Sequence, residues 1–258
     1  MTTTMAKTTK KSVAMLVAAL LCVAMGACHK EPTYAPKDSE ARDYANGWES
    51  RFGPIDATQT WNMATQITSM TAAEQSYEYV VACEDLASME DYDFNDFVFS
   101  ISHEAGASTL TLTPLAAGST LATRLYYNGE SLGEVHKLID PTATDSAGIY
   151  KPINTTTRGQ AGKPIKLGMM PNFSLSNMGG FAIQVSKPQA NGTVKLITLM
   201  PPVKGKAPQM LMLPAAWSWP VEGQLIEMAY TKFRQWNQNA SANSDWTTNG
   251  VDVNYLVK

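Results

Sequence analysis

The chain has 258 residues, 44% hydrophobic and 17% charged, with 20 Lys and Arg against 23 Asp and Glu and a formal net charge of −3. That length holds one large domain or two small ones, with enough apolar material for a buried core. A mildly acidic chain lacks the basic face that phosphate recognition needs, which excludes a nucleic-acid binder, and three cysteines are too few for a disulfide scaffold.

Residues 1–27 have the layout of an export signal. Lys7, Lys10 and Lys11 form a basic start, and Val13 to Met25 is an uncharged apolar run too short to span a bilayer comfortably. The run ends in Met25-Gly26-Ala27-Cys28, which resembles the lipobox of bacterial lipoproteins, with Met25 in place of the usual Leu. The resemblance implies cleavage before Cys28, acylation of that residue and anchoring in the outer membrane through its acyl chains. More than one chain holds firmly where a single one is marginal. Taking the three signal lysines from the 20 basic residues leaves 17 against 23 acids, a net charge of −6. Cys22 leaves with the signal and Cys28 takes lipid, so Cys83 stands alone and no intramolecular disulfide is expected. Residues 28–37 read as a polar tether. Within it, His29-Lys30-Glu31 loosely resembles the tag that sends some Gram-negative lipoproteins to the cell surface.

Residues 38–76 form a helical and irregular N-terminal segment. Ala41, Tyr44, Ala45, Trp48 and Phe52 recur at helical spacing between an Asp38 or Ser39 N-cap and the Gly53-Pro54 stop. From Tyr77 the reading is mainly β, and residues 77–258 are expected to form one domain. Tyr77–Glu84, Asn95–His103, Thr109–Leu115, Leu121–Asn128, Gly133–Ile139, Gly180–Lys187 and Thr193–Leu199 are short runs rich in Val, Ile, Thr, Tyr and Phe, bounded by Gly, Pro or Asn. Asn128-Gly129 and Asn191-Gly192 supply the positive φ angles of tight hairpin turns. This pattern predicts an antiparallel, jelly-roll-like β-sandwich with a short N-terminal helix. Asp140 to Gly162 reads as a long loop. Pro220 opens a predicted C-terminal helix whose Leu225, Ile226, Ala229, Tyr230, Phe233 and Trp236 form one apolar face to cap the sandwich, and Val251 to Val257 reads as a last edge strand.

The segment from Glu84 to Asp96 carries the chemistry. Glu84, Asp85, Asp91, Asp93, Asn95 and Asp96 stand directly before the apolar run Phe97 to Ile101. Such a cluster repels itself unless neutralised, and hard oxygen ligands suit Ca²⁺, which takes six to eight oxygens, better than Zn²⁺. Asp91, Asp93 and Asn95 hold the first three alternating positions of an EF-hand loop. Asp96 stands where that loop needs Gly, however, and Ser102 where it needs Glu, so this is not an EF-hand. Strand alternation sets Asp91, Asp93 and Asn95 on one side and Asp96 on the other. The alternative is an acidic turn whose carboxylates accept backbone hydrogen bonds.

The pattern of Glu84-Asp85 followed by Asp91-Tyr92-Asp93-Phe94-Asn95-Asp96-Phe97-Val98 resembles the hallmark of the LruC domain, found in lipoproteins of Gram-negative bacteria. Glu134-Val135-His136 is similar to that family's central element. Ala207-Pro208, Leu213-Pro214, Trp217 to Pro220, Glu222, Ile226, Ala229-Tyr230, Phe233 and Trp236 follow its closing pattern, with Thr231 where a proline is common. The resemblance spans roughly Tyr77 to Trp236 and implies a β-rich extracytoplasmic domain, with no settled activity to transfer. No Gly-x-Ser-x-Gly, His-Glu-x-x-His or Gly-rich phosphate loop occurs, and His103 and His136 read as structural. The expectation is a non-enzymatic surface module, with a cell-surface glycan or a protein as its partner. Three alternatives stand beside it: a carbohydrate binder using Trp217, Trp219 and Trp246, an adhesive or fimbria-like component assembling by strand addition, and a glycosidase built on paired carboxylates.

Overall fold

Runs of β-branched and aromatic residues become strands wherever a turn residue lets the chain reverse. Among the residues that the computed structural model describes (76–85, 92–144, 149–169, 180–199, 208–239, 241 and 243–258), nine strands form. They are β1 Tyr77–Cys83, β2 Phe97–His103, β3 Thr109–Ala116, β4 Ala122–Tyr127, β5 Glu130–Glu134, β6 Ile165–Gly168, β7 Phe181–Pro188, β8 Val194–Thr198 and β9 Met210–Pro214. Three short helices accompany them, α1 Val135–Ile139, α2 Ile226–Ala229 and α3 Phe233–Gln238, with a 3-10 turn at Val253–Tyr255. The expected export signal, the expected lipidation site Cys28, the expected tether, the expected helix from Asp38 to Phe52, and Asp91 lie outside the described residues. Among the described residues no helix is long and apolar enough to cross a membrane.

The strands make a five-stranded sheet in the order β6-β3-β2-β1-β9 and a four-stranded sheet in the order β5-β4-β7-β8, all pairs antiparallel. The expected β-sandwich is the fold. Val81, Phe99, Ile101, Leu110 and Leu112 of the first sheet pack against Leu125, Ile183 and Val185 of the second in one core. The opposite face of the five-stranded sheet is also covered. Val80, Ala82, Val98, Leu211 and Leu213 meet Trp217, Trp219, Tyr230, Phe233, Trp236 and Trp246 in a second core. The larger sheet is therefore the middle of three layers, and residues 80–83 and 211–213 are buried on both faces.

The Asn128-Gly129 hairpin forms as expected, with both residues at positive φ (51° and 79°) between the paired Tyr127 and Glu130. Asn191-Gly192 joins β7 to β8 through a longer loop in which only Gly192 is left-handed and its N–H bonds Gln189 O. Other expectations need correction. Residues 133–139 are not a strand: Glu134 ends β5 and its carboxylate accepts the Lys137 N–H, starting α1. β6 and β9 were not anticipated. The single C-terminal helix is two short pieces, because Tyr230 pairs with Val251 and the Thr231 N–H goes to Gly250 O, and Pro220 lies outside both, bridged to Leu256. Val251–Val257 supplies those two bridges and the 3-10 turn instead of an edge strand. The long loop, where described, is a pinned strap: Ala117 pairs with Ile153, and Asn154 Nδ2 donates to Leu115 O at 2.7 Å.

Candidate metal centre

Antiparallel pairing of β1 with β2 brings the acidic residues together. Cys83 lies opposite Phe97, so Glu84 and Asp85 leaving β1 meet Asp96 entering β2. The Glu84 N–H donates to Gln209 O at 3.0 Å, tying the exit to the chain that enters β9. One carboxylate oxygen from each of Glu84, Asp85 and Asp96 falls within a group spanning no more than 4.8 Å; Glu84 is buried and the other two are half-buried.

Phe94 sorts the remaining ligands. It occupies the left-handed region (φ 55°), uncommon for a bulky residue, and its fully buried ring meets Phe233 edge-on at 6.2 Å. The kink turns Asp93 and Asn95 toward the segment from Pro220 to Gly223. Asp93 accepts the Asn95 N–H at 3.1 Å and the Gly223 N–H at 2.9 Å, while Asn95 Nδ2 donates to Pro220 O at 3.2 Å. Of the six residues named from the sequence, three converge, two bond in the opposite direction and Asp91 lies outside the described residues.

Three like charges at this separation repel by about 3 kcal/mol per pair at an effective dielectric constant of ~20. Local donors offset part of this. The Phe94 N–H donates to Glu84 Oε2 at 3.3 Å, the Asp85 N–H to Asp96 Oδ2 at 2.6 Å, and the Ser119 hydroxyl to Asp85 Oδ2. The negative field reaches Cys83, whose thiol is pushed well above its ordinary range by burial first and then by the charges of Asp96 and Glu84. Ser119 is the participant that sequence reasoning missed. It lies 34 residues from Asp85 and is delivered by the Gly118 N–H donating to Asn95 O (3.0 Å) and Asp96 O (3.2 Å), with no local signal in its neighbours.

The other candidates are placed as follows. Trp217, Trp219 and Trp246 are all buried in the C-terminal core: Trp217 stacks on Tyr230 at 5.7 Å, Trp246 packs against Phe233 and Trp236, and the Trp219 N–H donates to Asn154 O at 2.7 Å. None presents an exposed aromatic platform. His103 Nδ1 lies 2.9 Å from Thr109 O, and His136 is fully buried, with Nδ1 2.8 Å from Glu134 Oε1 and its ring stacked on Tyr150.

Fold and site together define a β-sandwich with an oxygen-rich acidic turn at the mouth of its first hairpin. No protein-family model, no curated protein and no solved structure matches the chain. The resemblance to the LruC domain accordingly rests on the residues quoted for it.

Proposed function

We propose that this protein is a lipid-anchored, LruC-like β-sandwich of the outer membrane, held through Cys28, non-enzymatic and surface-exposed, whose acidic turn binds Ca²⁺ and which serves as a binding or structural module. The observation that carries the calcium reading is the convergence of Glu84, Asp85 and Asp96. Three carboxylates supply hard oxygens at the density a Ca²⁺ ion takes, and a divalent cation there would relieve a repulsion that backbone donors only partly offset. The non-catalytic reading is supported by the two described imidazoles, His103 and His136, both buried and engaged by Thr109 O and Glu134.

The test is thermal unfolding of the whole chain in EDTA and in millimolar Ca²⁺, beside Asp85→Asn and Asp96→Asn. At a hundredfold excess over the dissociation constant Ca²⁺ adds about 2.7 kcal/mol, a rise in Tm of roughly 5–10 °C. The rise is expected in the native chain and lost in both variants. Equal Tm in EDTA and Ca²⁺ would leave the cluster as a hydrogen-bonded turn.

One observation favours a second reading, assembly by strand addition. β8 is the last strand of its sheet among the described residues, and its Val194 and Leu196 are exposed. Sedimentation would show concentration-dependent oligomers that Leu196→Lys abolishes; a monomer at every concentration argues against it.

A further inference from the structure

On the outer face of the five-stranded sheet, the strap around Arg158 and the turn from Ala215 to Trp219 leave a pocket of about 230 Å³. At ~30 Å³ per water this is room for about eight waters, the scale of one small molecule. Its lining includes Glu78, Ser100, Leu115, Arg158, Trp217 and Trp219.

The walls are held in place before any ligand arrives. Asn154 clamps the strap by donating Nδ2 to Leu115 O and Gln160 O, and the Arg158 N–H donates to Lys258 O at 2.7 Å. Gly159 leaves space where a methyl group would stand 2.3 Å from Asn154 Oδ1. The Arg158 guanidinium lies over the Trp219 ring at 4.7 Å and reaches Ser218 Oγ at 3.4 Å. Among the described residues neither Arg158 nor Glu78, both solvent-exposed, has an oppositely charged group within 4.0 Å, so the pocket is lined by a cation and a separate anion.

This combination selects a ligand class. A sugar ring needs an open aromatic face, but Trp217 has Tyr230 against one face and Trp219 has Arg158 over it, and both are buried. A planar guanidinium is instead the preferred partner of a carboxylate, which it binds through two parallel hydrogen bonds, and a carboxylate such as Glu78 attracts an ammonium. We propose that the pocket binds a zwitterion of amino-acid size, its carboxylate on Arg158, its ammonium toward Glu78 and its side chain against Leu115 and Trp217. This deepens the binding-module reading and rests on it; the pocket shares no residue with the acidic turn, so the calcium reading stands or falls separately.

The test is calorimetric titration of the whole chain with each free amino acid, with dipeptides, with the matching acids lacking the amino group, and with glucose and N-acetylglucosamine. Saturable binding of at least one amino acid is expected with a Kd between ~10 μM and ~1 mM. Arg158→Gln should weaken it at least tenfold. Glu78→Gln should weaken the amino acid and leave the deaminated acid unchanged, a difference that a general loss of folding would not produce. A dipeptide binding more tightly than its amino acids identifies a peptide terminus as the source of the same chemistry. The proposal is overturned by no saturable heat from any zwitterion up to ~10 mM, by binding that both variants leave unchanged, or by a sugar binding in their place. Any of these results would leave the calcium response unaffected.

Discussion

A methyl group on Gly118 would stand 2.2 Å from Asn95 Oδ1 and 2.8 Å from Glu222 Oε2, both closer than real Cβ contacts come. Asn95 is fully buried and held by Pro220 O, so it cannot swing aside. Gly118→Ala is therefore expected to cost about 1–3 kcal/mol, read as a lower urea midpoint at unchanged slope. Burial governs the acidity of buried side chains as well. Cys83, Tyr77 and Tyr230 are raised above their ordinary values of 9.0 and 10.0, each chiefly because burial disfavours the anion; neighbouring Asp96 and Glu84 add to the effect at Cys83, and Tyr127 and Tyr79 at Tyr77. A raised folded value means that the contribution is intact below the unfolded value and is lost as pH climbs toward the folded one. Stability should accordingly hold to about pH 8 and then decline in two stages, thiol first and phenols after, with Cys83→Ala removing the first. Urea midpoints across pH 7–11 (roughly the window set by those reference values) check this. The site was legible in the sequence to the extent that it is local. Asp93 and Asn95 do part from Asp96, but through the left-handed Phe94 in a segment that precedes β2 and not through strand alternation; the grouping with Glu84 and Asp85 required the β1–β2 register, and Ser119 came from a distant loop.

Among the elements, local chemistry was readable and long-range pairing was not. Asn128-Gly129 announces its turn because two adjacent positive φ angles are the whole requirement. Gly129→Ala should destabilise the β4–β5 hairpin by about 1 kcal/mol with little effect elsewhere, since a methyl group there meets no atom within 4 Å and only the backbone conformation objects. Hydrogen exchange confined to residues 122–134 would report it. β9 was missed for the opposite reason. Four of its five residues, Met210 to Leu213, are buried, so β9 shows no alternation, the property by which a half-covered strand is recognised. The C-terminal apolar stripe was read as one helix because Ile226, Ala229, Tyr230, Phe233 and Trp236 do share a buried surface. What sequence periodicity could not contain is the bridge from Tyr230 to Val251, which spends the backbone groups a continuous helix would use.

At the scale of the whole molecule, the middle sheet depends on the layer above it. Trp246 is fully buried against Tyr230, Phe233 and Trp236, so Trp246→Ala should cost about 3–5 kcal/mol. If the three layers unfold together, tryptophan fluorescence and far-ultraviolet circular dichroism will report one coincident transition; an earlier fluorescence change would mark the C-terminal layer as a separate cooperative unit. The acidic turn belongs to this same long-range closure. Asn95 reaches Pro220 across 125 residues and Asp93 reaches Gly223 across 130. A chain made from its N-terminus exposes Glu84 to Asp96 long before the residues that complete the turn exist, and loop-closure entropy makes such pairings slow. The β2–β3, β4–β5 and β7–β8 pairs need nothing beyond residue 198, so they can form first, and the acidic turn is the part that waits: it closes only once the segment from Pro220 to Gly223 reaches it.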